Sequence, residues 1–276
     1  MTSPLVVQAP RERVGLPLMI ALVFLLSWPS TIPQVVASWR GAAAVPGWMR
    51  WLQLLLVAPG LVAIWAAWAN GGGAGARALL GRLLRWRARA SVYAAVLLGP
   101  PIVMLASIAA SRMLGFAGPA LPDAGTVAAA FGPTFLVYLL LNTEELAWRG
   151  YVLPRLQARW TPLRAALVLG AVWIVFHAPY FFMQGGHPGG YTPWLFVLQL
   201  LPVSILLART FNASAGSVLL PHLLHQSINA WAEALPFLPR FAGSMAPVVA
   251  SIVIAFAIAG LAIAARPPMW RRLPPS

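Results

Sequence analysis

The sequence predicts an all-α, polytopic integral membrane protein with about eight transmembrane helices and a polar site inside the membrane. Three observations carry that prediction. The 276 residues are 60% hydrophobic and only 9% charged, against about 25% charged in a soluble domain. The apolar residues fall in runs of about 20, the length that spans hydrocarbon. The arginines alternate in density between successive connections, as the positive-inside rule requires.

The apolar segments are roughly 15–37, 51–70, 91–112, 127–153, 163–183, 193–209, 213–235 and 245–265. The first follows Arg11-Glu12-Arg13 and superficially resembles a signal peptide, with Val36-Ala37-Ser38 as a weak cleavage-site mimic. It runs too far for a signal core and reads as a retained span. The sixth is short and contains Pro202, which a membrane helix tolerates when neighbours satisfy the freed carbonyl.

With the N-terminus inside, fourteen of the nineteen arginines lie on that side. Arg40, Arg50, Arg112 and Arg240 lie on the other, and Arg149 falls within a span. This bias predicts both termini in the cytoplasm and suits a bacterial inner membrane. Net charge is +14. In such a chain the charge sets topology and meets anionic headgroups, so the lipid bilayer rather than nucleic acid is the expected partner.

Residues 1–276 read as a single membrane domain without internal repeats. Gly71-Gly72-Gly73 opens a joint, and residues 71–90 read as a basic amphipathic cytoplasmic segment with Leu79, Leu80, Leu83, Leu84 and Trp86. Gln184 to Thr192 is a glycine-rich turn. Pro267-Pro268-Met269-Trp270-Arg271-Arg272 reads as an interfacial anchor.

The chemistry concentrates in 127–235, the expected catalytic core. Two of the five acidic residues, Glu144 and Glu145, stand side by side in an apolar run. Ionisable groups in lipid-embedded segments are costly and point to function. Glu145 and Arg149 have the favoured acid-first i,i+4 spacing for an ion pair. Glu144, about 100° around a continuous helix, is left to point elsewhere. The competing reading makes both glutamates part of a packing network. His177 stands alone on the next span. His222, His225 and Asn229 share one stripe of the seventh, where they could serve only as interhelical polar contacts.

Counted along continuous helices at about 1.5 Å per residue, Glu144, His177 and His225 all lie roughly 16–23 Å from the cytoplasmic boundary. A shared depth predicts a shared site. A carboxylate, two imidazoles and an amide suit activation of water, either with Glu144 as general base or with Glu144, His177 and His225 holding a divalent metal such as Zn2+. Asn229 suits an oxyanion.

Two other protease designs are excluded, and a serine–histidine design lacks support. The H-E-x-x-H zinc motif is absent. Asp123 is the only aspartate, so there is no aspartyl dyad. Nothing marks Ser217 as an activated nucleophile. With no cysteine, disulfides and thiolate metal sites are excluded.

Glu144-Glu145-x-x-x-Arg149, Trp173-x-x-x-His177 and His225-x-x-x-Asn229 together resemble the CPBP (CAAX protease and bacteriocin-processing, or Abi) family, relatives of the type II CAAX prenyl endopeptidases. Trp173 stands where the family pattern has Phe, an exchange expected to alter packing rather than chemistry. His222 lies outside the pattern and is left as packing or as a competitor of His225. The resemblance implies an intramembrane (metallo)endopeptidase acting on a membrane-bound protein or peptide. It implies that Glu144 and His177 activate water, that Glu145 and Arg149 support them, and that His225 and Asn229 bind an oxyanion or metal. The alternatives are a non-catalytic scaffold or bacteriocin-immunity protein of the same fold, and a proton-coupled transporter.

Overall fold

A computed structural model describes residues 13–265 and 269–271, without the side chain of Arg50. Arg11, Glu12, Arg266, Pro267, Pro268 and Arg272, used in the reading above, lie outside the described residues.

The fold is all-α. Helix α1 (Leu16–Ser27) continues through a 3-10 turn at Trp28–Thr31 into α2 (Ile32–Arg40). A longer 3-10 stretch, Gly47–Val57, feeds α3 (Ala58–Gly81). Helix α4 spans Ala90–Met113 and α5 spans Ala124–Leu141. After a break come a π-helical stretch, Leu146–Val152, and the short α6 (Leu153–Gln157). Helices α7 (Pro162–Phe176), α8 (Pro193–Ala213), α9 (Leu219–Ala234), α10 (Pro239–Ala242) and α11 (Ala246–Ala264) complete the chain. Asp123 caps α5 by accepting from the Thr126 N–H, and Thr161 and Thr192 cap α7 and α8 in the same way.

Among the described residues seven helical segments are long and apolar enough to cross a membrane. The eighth expected segment, 213–235, forms the 16-residue α9, about 24 Å long. It carries His222, His225, Gln226 and Asn229 and is shorter than any of the seven. It nevertheless runs through the bundle, packed against α4, α5 and α8. Protein covers its polar groups, so it need not be apolar.

Hydrogen bonds identify one face of the bundle. Val14 pairs with Asn70, whose amide also reaches the Tyr151 hydroxyl. The Leu163 N–H donates to the Met269 carbonyl, and that of Val218 to Arg82. Both described ends of the chain, with Arg82 and Arg155, therefore share a face. The opposite face holds Glu233 and Arg240, where Arg240 bonds the Pro188 carbonyl.

Two expectations are corrected. The stretch 127–153 is not one helix, because α5 stops at Leu141 and Asn142 is extended (φ −81°, ψ 94°). The basic segment 71–90 is helical only to Gly81, and Gly71 and Gly72 kink α3 ahead of it. Beyond Gly81 the backbone turns, and Arg82 and Arg85 donate to the carbonyls of Gly150 and Ala215. These two bonds tie the segment to the bundle, while Leu80, Leu84 and Trp86 stay exposed.

Candidate functional site

The break at Asn142-Thr143 builds the site. The Asn142 side-chain oxygen accepts from the Glu144 N–H (3.1 Å), a local bond that competes with helix continuation. The Thr143 hydroxyl accepts from the Gly60 N–H and donates to the Val57 carbonyl, both at 2.9 Å. Gly60 makes this possible, since a Cβ there would lie 2.6 Å from Thr143 Cβ. The new helical segment thus starts with Glu144 and Glu145, anchored to the start of α3. The break lies on the far side of Glu144 from Arg155, and the stretch counted from Arg155 back to Glu144 is helical throughout, π-helical at Leu146–Val152.

The two carboxylates part company as their angular separation predicts. Glu145 is fully buried. Its Oε1 accepts from the Arg149 guanidinium and from His225 Nδ1, each at 2.9 Å. Arg149, also fully buried, reaches the Ser204 hydroxyl at 3.4 Å. Among the described residues, Glu145 Oε2 and Arg149 Nε have no hydrogen-bond partner.

Glu144 turns toward α7. Its Oε2 accepts from two indoles, Trp148 Nε1 at 3.1 Å and Trp173 Nε1 at 2.6 Å. Its Oε1 takes no hydrogen bond from the described residues and is not sealed from the surroundings.

His177 ends α7, where Pro179 two residues on prevents helical continuation. Its Nδ1 lies 2.8 Å from the Trp173 carbonyl. A carbonyl only accepts, so Nδ1 carries the proton and Nε2 of the neutral ring keeps its lone pair. The same argument applies to His225, whose Nδ1 donates to the Glu145 carboxylate. Trp173 joins these groups. Its ring centroid lies 5.5 Å from that of His177 and 5.2 Å from that of His225, both edge-on. The Arg149 guanidinium lies 5.0 Å from the centroid of the same ring.

The expected α9 stripe divides. His222 Nε2 donates to the Leu139 carbonyl at 2.9 Å, and its Nδ1 accepts from the Gln226 amide at 3.2 Å. Both nitrogens are satisfied in the neutral state, so His222 ties α9 to α5 and does not compete with His225. Asn229 donates to Gln226 Oε1 at 3.2 Å. It sits one turn beyond His225 and makes no hydrogen bond to either glutamate or to Arg149.

Sequence reasoning missed Trp148, Asn142 and Thr143. The i,i+4 spacing of Glu144 and Trp148 was the available signal for the first. Nothing in sequence indicates that Gly60 meets Thr143.

Among the described residues no three His, Cys, Asp or Glu side chains gather as a metal-holding group. Each site histidine commits its Nδ1 and Glu144 commits one oxygen to two indoles, so His177 Nε2, His225 Nε2 and Glu144 Oε1 are the atoms that would hold a divalent metal. A groove of about 580 Å3 opens beside α5, lined by Trp51, Leu54, Val137 and Leu141, and includes none of the polar site residues.

Residues 123–231 match the family model described as type II CAAX prenyl endopeptidase Rce1-like. Over that stretch the chain is similar to the Rce1-like family. That segment contains Glu144, Glu145, Arg149, Trp173, His177, His225 and Asn229, and it is the family expected from the three motifs. A curated protein from Methanococcus maripaludis, CAAX prenyl protease 2, is 30% identical over 107 residues. The match covers 37% of this chain and 40% of that protein, so the chain spans less than half the length of the relative it matches.

Proposed function

We propose that this protein is an intramembrane endopeptidase that hydrolyses a peptide bond of a membrane-associated protein or peptide. One observation carries the reading: Glu144 is buried with one oxygen held by two indole N–H groups and the other unbonded, on the same tryptophan that orients His177.

The chemistry follows from these positions. Glu144 Oε1 accepts a proton from a water as the water oxygen attacks the scissile carbonyl carbon. Fixed by its Nδ1–H bond to the Trp173 carbonyl, His177 offers Nε2 to the same water. The tetrahedral intermediate carries a negative oxygen. Asn229 on α9, whose amide keeps a second N–H beyond its bond to Gln226, is the donor assigned to it. Collapse breaks the C–N bond, and the proton taken from water passes to the leaving amine. Glu145 and Arg149 take no part in the bond changes; they hold His225.

The Rce1-like match and the name of the archaeal relative support a CAAX-type substrate. A farnesylated CAAX peptide is therefore the first probe, with an unprenylated membrane peptide beside it. The arginine-rich face that holds both described ends is assigned to the cytoplasm of a bacterial inner membrane, which puts the site within reach of membrane-anchored substrates from that side.

The test is cleavage by purified protein in lipid nanodiscs. Glu144→Gln should lower turnover by about 10²–10⁴-fold while the thermal midpoint holds. Biological activity that survives in Glu144→Gln without any cleavage favours a non-catalytic scaffold. pH-dependent solute uptake by proteoliposomes favours a transporter.

A further inference from the structure

We infer that Trp173 is a positioning residue that sets Glu144 and His177 relative to one another, by its side chain for one and its backbone for the other. The inference deepens the hydrolase reading and rests on it for the catalytic part.

The indole N–H of Trp173 makes the shorter of the two bonds to Glu144 Oε2 (2.6 Å). The carbonyl of the same residue accepts from His177 Nδ1 (2.8 Å). One residue thus decides which carboxylate oxygen is spent and which imidazole nitrogen is presented. Its ring is itself held in place, being 3% exposed. The His177 and His225 rings lie edge-on to it and the Arg149 guanidinium lies beside it. Ser204 reaches Arg149 and the Ala166 carbonyl on α7, which closes the support behind the ring.

A phenylalanine at this position has the ring but no donor. It leaves Glu144 with the 3.1 Å bond from Trp148 alone, and the carboxylate is then free to swing about that contact. A shift of about 1 Å at a reacting group costs on the order of 10²-fold in rate. The exchange of Phe for Trp relative to the family pattern is therefore chemical in this chain, contrary to the packing role expected from sequence.

The experiment compares Trp173→Phe and Trp148→Phe with the parent in two measurements. In the cleavage assay, Trp173→Phe should lower kcat about tenfold or more, with KM within about twofold and an unchanged thermal midpoint. Trp148→Phe should lower kcat less. In 15N-labelled protein, the Trp173 indole N–H resonance, identified by its loss in Trp173→Phe, should lie downfield and move upfield in Glu144→Ala. An indole resonance that ignores Glu144→Ala overturns the inference whether or not cleavage is found. So does full kcat in Trp173→Phe. A resonance that moves while no variant or parent cleaves any probe keeps the Trp173–Glu144 contact and removes the hydrolase reading instead.

Discussion

Glu144 and Glu145 are neighbours in the chain, yet they sit in regions built on different terms. On the Glu145 side, between α8 and α9, a charge is neutralised by a charge: Arg149 pairs with the same oxygen that accepts from His225 Nδ1, with no exposure at Glu145 or Arg149. On the Glu144 side, against α7, the carboxylate meets only neutral donors, and one of its oxygens is left unbonded. The unbonded Oε2 of Glu145 is sealed inside the bundle, where no reactant reaches it. A carboxylate held by two indoles keeps an oxygen for one. Proximity in sequence therefore says little about role; the neighbours brought by α7, α8 and α9 decide it.

The comparison is broken most directly at Arg149. Arg149→Ala leaves Glu145 buried with His225 as its one partner and should cost about 3–5 kcal/mol, far more than Glu144→Ala. Thermal midpoints of the two purified variants should separate accordingly; equal midpoints would put the two carboxylates in equivalent environments after all.

Gly60→Ala tests the anchor before the pair. The new Cβ meets Thr143 at 2.6 Å, and overpacking of this kind costs about 1–3 kcal/mol. Cleavage should fall with stability, because the break that starts the Glu144 segment must move. Unchanged turnover in a protein of unchanged stability would mean that the break does not depend on α3.

His222→Phe sharpens the contrast within α9. It strands the Leu139 carbonyl and the Gln226 amide, at a cost of about 1–3 kcal/mol, yet kcat should hold once stability is matched. His225→Phe should lose kcat. Loss of kcat in both would return His222 to the site.

The smallest effect is expected at His187, in the turn between the spans of α7 and α8. Burial among aromatic rings, then the charges of His177 and Arg240, push its imidazole down to about 3. Tyr180, Phe181, Tyr191 and Phe196 surround it, and Arg240 pairs with Glu233 alongside. In the unfolded chain the imidazole takes a proton near 6.5; in the folded turn it does so only near 3. Acidification from pH 6.5 toward 3 therefore weakens the packing of this turn. Hydrogen exchange of residues 184–191, corrected for intrinsic rate, should rise between pH 7 and pH 5 and lose that dependence in His187→Phe. The same pH dependence in the variant would assign it to another group.

The chain's own order of residues determined the all-α membrane class, the run lengths, the two faces of opposite arginine content and the Glu145–Arg149 pair. These are local or compositional properties: hydrocarbon demands apolar runs of a set length, and i,i+4 side chains on a helix meet wherever that helix goes. Tertiary structure alone decided the rest. The break at Asn142 depends on Gly60 admitting Thr143 from 83 residues away. The polar stripe of α9 is tolerated within the bundle because α4, α5 and α8 pack against that helix. The partition of three donors, with His225 given to Glu145, His222 to Leu139 and Trp173 to Glu144, depends on how helices distant in the chain are packed, and no spacing along one helix encodes which side chain another helix will present to it.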